Sequence, residues 1–103
     1  MVIHVVYHGF SPTPTIKRCL DAGRADIEKL FRSLVSVEWA LEPEGSQTVV
    51  ACRVHARSGY YRASAQGHDV AQAIHEVVQR LRAQRRRRKN ALEGRRRTVA
   101  RRP

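Results

Sequence analysis

Residues 59–81 read GYYRASAQGHDVAQAIHEVVQRL, and the hydrophobic period changes in the middle of them. Up to Gln66 the period is two: Tyr61, Ala63 and Ala65 alternate with Tyr60, Arg62 and Ser64, as in a strand with two unlike faces. From Val70 onward the apolar residues Ala73, Ile74, Val77, Val78 and Leu81 recur at helical spacing. Asp69 stands just ahead of them as a natural N-cap. The small alanines of the strand leave room for something to pack closely on its sheet.

Upstream, the same two periods recur. VIHVVY (2–7) alternates Ile3, Val5 and Tyr7 with Val2, His4 and Val6, and reads as a strand. Thr13-Pro14 is a helix entry, a hydroxyl cap followed by proline at the first helical position. From Pro14 to about Leu34, Ile16, Leu20, Ile27, Leu30 and Leu34 form one stripe, flanked by Cys19 and Phe31. Gly23 lies on that stripe at a propensity cost of up to ~1 kcal/mol, which close packing against a sheet would justify. VSVEWALE (35–42) places Val35, Val37, Trp39 and Leu41 on one face. After the turn PEGS, QTVVACRVHAR (47–57) sets Val50, Cys52, Val54 and Ala56 against Arg53, His55 and Arg57.

The order is β-α-β-β-β-α. A crossover makes the first two strands parallel and two hairpins make the rest antiparallel. Each helix has one apolar stripe, so the expected fold is α+β: a four-stranded mixed sheet with two helices packed on one face. At 103 residues it is a single domain.

Charge is distributed unevenly. Residues 80–103 hold twelve Lys and Arg and a single acid, Glu93, whereas residues 1–79 hold eight of each sign. A neutral globule with a strongly cationic end points to an anionic partner, nucleic acid before membrane. Leu92 and Val99 are too few to anchor an amphipathic helix in lipid, and no apolar run is long enough to span a bilayer. The apolar stripe of the last helix stops at Leu81, because Arg85 and Arg88 take the positions that would continue it. Its later turns therefore face solvent or a partner. Residues 1–90 are expected to form the binding domain and 91–103 a basic tail, disordered when free.

No catalytic constellation is present. The chain has no glycine-rich phosphate loop, nucleophile elbow or isolated carboxylate pair, so it reads as no enzyme. Cys52 and His55, three apart on a strand, fall on opposite faces, and the remaining histidines are scattered, so neither metal nor cofactor is expected. Two cysteines without metal spacing and no signal peptide read as a reduced, cytoplasmic chain, expected to be monomeric when free.

Three stretches resemble the ribosome hibernation promoting factors and ribosome-associated inhibitors. These are PTIKRCLDAGRADIEKLF, EPEGSQTVVACRVHARSG and, most specifically, GYYRASAQGHDVAQAIHEVVQRLRAQ with its small ASA segment, Asp cap and Ala73-Ile74 pair. The resemblance covers residues 1–90. It implies the β-α-β-β-β-α fold already read from the residues. It also implies binding to small-subunit ribosomal RNA in the channel for tRNA and mRNA, so that translation is inhibited by occlusion. Basic residues of both helices would make the contacts. The matching positions are Lys17, Arg18, Arg24, Lys29 and Arg32 on the first helix, and Arg80, Arg82, Arg85, Arg86, Arg87, Arg88 and Lys89 on the second. His75 stands where the family pattern usually has Asp or Asn. Two other readings stay open: a general RNA- or DNA-binding module using the same charge, and a protein-interaction domain using the open sheet face at Tyr60, Arg62, His55 and Val49.

Overall fold

The computed structural model describes residues 1–9 and 11–100, with side chains through residue 91. Its elements are β1 (Val2–Tyr7), α1 (Pro14–Leu30), β2 (Leu34–Glu44), β3 (Gln47–Ala56), β4 (Gly59–Gly67) and α2 (Val70–Ala100). The sheet order is β1-β2-β3-β4, with β1 parallel to β2 and the other pairs antiparallel. This is the expected α+β architecture.

Both helix starts follow their caps. The Ile16 N–H donates to Thr13 Oγ1 at 3.1 Å with Pro14 in the first turn, and the Gln72 N–H donates to Asp69 Oδ1 at 2.8 Å. Gln72 reciprocates, its Oε1 accepting the His68 N–H at 2.8 Å.

One face of the sheet supplies Val37, Trp39, Leu41, Val50, Cys52, Val54, Tyr61 and Ala65, and the helices close over it with Leu20, Ile27, Ala73, Ile74, Val77, Val78 and Leu81. Gly23 sits where these layers meet. A Cβ there would lie 2.7 Å from Ile74 Cγ2 and 3.1 Å from Trp39 Cη2, so α1 approaches both α2 and the sheet at this point.

Three expectations are corrected. Helix α1 ends at Leu30 rather than near Leu34: Phe31 turns extended (φ −123°, ψ 134°) and Ser33 adopts φ +54°. Arg32 therefore lies in the α1–β2 connection, and Leu34 opens the strand. The register shifts between Leu34 and Ser36, which displaces Val35 from the face of Val37 and leaves it exposed.

On α2 the last buried residue is Leu81, Gln84 and Arg85 are half-buried, and residues 86–91 are exposed. The helix backbone continues to Ala100. For the tail expected over 91–103, the side chains from residue 92 and all of 101–103 lie outside the described residues.

Cys52 is buried, and that burial pushes its thiol from the ordinary 9.0 up to about 12. Between those values the unfolded chain has lost the proton and the folded one keeps it, so stability falls as pH rises through this window. Chemical denaturation from pH 9 to 12 is expected to show that decline, and a Cys52→Ala variant to show a shallower one.

Candidate nucleic-acid interface

The basic residues of the two helices divide among three places. Lys17 and Arg24 line a cleft between α1 and β1 together with Asp21. Arg24 is committed to Glu28, with Nη1 2.8 Å from Oε1. This end of α1 is the most neutralised of the three.

The second place is a corner where Arg32, Arg57 and Arg85 line one cleft of about 290 Å³ with Ser33 and Ser58. The three arginines come from the α1–β2 connection, the β3–β4 turn and α2. Arg85 is four residues past Leu81, so the direction that keeps Leu81 in the core turns Arg85 back toward the body of the domain. Two of the three segments are tied together by backbone, the Arg57 N–H donating to the Ser33 carbonyl at 3.1 Å. Among the described residues the ion pairs are Arg24–Glu28 and His4–Glu38, so no carboxylate pairs with any of these arginines. Guanidiniums stay charged at any physiological pH, and like charges gathered at a surface repel one another. An anion in the cleft reverses that sign. Planar guanidiniums with two hydroxyls alongside suit the oxygens of a phosphate.

The third place is the outer margin of β4. Arg80 and Arg87 line a cleft there with Arg53 and Arg62. Arg80, Gln84 and Arg88, one turn apart on α2, run along the strand. The Arg80 guanidinium donates to the Ser64 carbonyl. Gln84 Oε1 accepts the Arg62 N–H at 3.1 Å while its Nε2 donates to the Arg62 carbonyl at 3.3 Å. Arg88 Cζ lies 4.1 Å from the centroid of the Tyr61 ring, a cation–π contact. These bonds occupy backbone groups that an edge strand otherwise presents to any passing chain. Arg80 and Arg88, which the resemblance marks as RNA contacts, thus also hold the fold.

The remaining expected contacts, Arg18, Lys29, Arg82, Arg86 and Lys89, are exposed. Arg53 was not among the expected contacts, and at the corner the residue that the sequence reading passed over is Arg57. Its signal was position: with Ser58 it fills the two-residue turn between Ala56 and Gly59.

Residues 3–93 match the protein family described as Sigma 54 modulation protein / S30EA ribosomal protein. The chain belongs to this family. The resemblance drawn from residues 1–90 therefore holds, and S30EA membership makes the chain a ribosome-associated protein. Two solved structures share the S30EA fold seen here. A ribosomal subunit interface protein from Coxiella burnetii gives a TM-score of 0.73 at 13% identity, covering 87% of this chain and 99% of that one. The N-terminal domain of Protein Y from Thermus thermophilus gives 0.73 at 20% identity, covering 84% and 98%. At such identities the likeness is one of fold. Among curated proteins none matches the sequence. No helix among the described residues is long and apolar enough to cross a membrane.

Proposed function

We propose that this S30EA protein is a translation inhibitor that occupies the tRNA and mRNA channel of the small ribosomal subunit, held by its arginines on ribosomal RNA. Its action is occlusion: no bond is made or broken, and the ribosome is idled for as long as the protein stays. The observation that carries the reading is the corner of Arg32, Arg57 and Arg85, with three arginines lining one cleft and no carboxylate paired to them among the described residues. Arg82, Arg86, Arg87 and Lys89 extend the same charge along α2. Family membership and the subunit interface protein among the fold neighbours support the ribosome as the source of the phosphates.

Gradient co-sedimentation with intact ribosomes tests this, with free ribosomal RNA as competitor at low and physiological salt. Stoichiometric binding that survives physiological salt and resists the competitor is the expected result. Binding that collapses with salt or transfers to free RNA would show charge acting without a shaped site, and a general nucleic-acid module would replace the ribosomal reading.

A further inference from the structure

The sheet face turned away from the helices carries a different kind of surface. Tyr60 on β4 is 69% exposed, yet one side of its ring is supported. It stacks on its cross-strand partner His55, with centroids 4.2 Å apart and planes 9° from parallel. An aromatic ring already held in one orientation loses little freedom when something stacks on its open side.

The next row on the same face is Glu38, Arg53 and Arg62, paired in register across β2, β3 and β4. Rows on one face of a sheet are separated by two residues along the strand, roughly 7 Å. Arg53 and Arg62 are exposed and have no carboxylate partner among the described residues. The one acid of the row, Glu38, has His4 beside it at 4.0 Å, on the side away from Arg62. The rows border a cleft of about 500 Å³, to which Gln84 and Arg88 also contribute.

We propose that this face takes an unpaired nucleotide of single-stranded RNA, the base stacked on Tyr60 and a neighbouring phosphate held by Arg53 and Arg62. A stacking ring beside two exposed arginines matches a base joined to a phosphate. A purely apolar partner would gain nothing from the arginines and would have to desolvate them. The site shares its class of partner with the proposed function but none of its residues with the corner. It is therefore tested without ribosomes.

The experiment measures binding of short oligouridylate and oligoadenylate, and of a polyphosphate of equal charge, to the whole protein and to its Tyr60→Ala and Tyr60→Phe variants. Tyr60 is exposed, so neither change empties the core, and circular dichroism verifies the fold. The expected result is a roughly tenfold or greater loss of oligonucleotide affinity for Tyr60→Ala. Tyr60→Phe, which keeps the ring, stays near the parent, and polyphosphate affinity does not move in either variant. Equal oligonucleotide affinity in the parent and Tyr60→Ala would overturn the proposal, and this is also what a protein-binding sheet face would give. So would a parallel loss toward polyphosphate, or a parent that prefers neither ligand.

Discussion

Replacing Arg32, Arg57 and Arg85 together with glutamate is expected to abolish stoichiometric ribosome binding at physiological salt. The corner these residues line has no paired carboxylate among the described residues. In the proposed complex its charge is neutralised by phosphate, and reversal turns each contact into a repulsion. The milder variant, glutamine at all three positions, isolates the contacts themselves. Each phosphate contact contributes roughly 0.7–0.9 to the slope of log affinity against log salt, so that slope should fall by about 2–3. Arg57→Gln alone should lower it by a little under one. Salt titrations of ribosome binding supply the slopes. Arg85 is half-buried, so unchanged thermal melting of the glutamine variant is the necessary control. If the triple glutamate variant co-sediments like the parent, the corner does not face RNA and the proposed grip is elsewhere.

Gly23 carries the largest expected effect on stability, and its direction is opposite to what helix propensity predicts. Alanine in mid-helix is worth up to about 1 kcal/mol over glycine. At this position, however, its methyl would stand 2.7 Å from Ile74 Cγ2 and 3.1 Å from Trp39 Cη2, and both neighbours are core residues with nowhere to go. Overpacking of this kind costs about 1–3 kcal/mol, which outweighs the propensity gain. Gly23→Ala should therefore melt lower by several degrees, about 4–8 °C for each net kcal/mol lost in a domain of this size. Gly23→Val adds two methyl groups beyond that Cβ at the same crossing and should leave little folded protein at 37 °C. Trimming the obstacle with Ile74→Ala should make the Gly23→Ala change less harmful than it is alone, a coupling that a double-mutant cycle reads directly. A stabilised Gly23→Ala would mean that the helices have room to separate.

The fold was legible because the strands and helices announce themselves locally. The alternation at Tyr61, Ala63 and Ala65, the stripe from Ala73 to Leu81, and the caps at Thr13 and Asp69 each depend on residues a few positions apart. The errors fell where the backbone departs from regular geometry. Leu34 matched the helical stripe and Val35 the strand face, but the left-handed turn at Ser33 and the register shift after Leu34 reassigned both. Nothing in that stretch betrays a positive φ at a serine.

The candidate site was legible as charge and illegible as geometry. Arginines on the outer faces of the helices can be counted from the chain, but the corner depends on a hairpin turn reaching α2, so Arg57 was not recognised as part of it. Arg80 and Arg88 pose the reverse problem. Their hold on β4 requires knowing that β4 is the edge of the sheet, next to α2, and the order of strands is a tertiary fact. The pairing of His55 with Tyr60 needs the β3–β4 register in the same way.

The three residues along the margin of β4 will not respond alike when a polyanion arrives. Arg80 and Arg88 are attracted by it and can be drawn from the Ser64 carbonyl and the Tyr61 ring toward phosphate oxygens. Gln84 carries no charge and feels almost none of that pull, and it holds both the N–H and the carbonyl of Arg62. The arrangement separates charged contacts from a neutral mechanical latch within two turns of one helix. In the proposed complex, docking would borrow the outer arginines while the latch between them stays shut, so the sheet would not fray as the helix meets RNA.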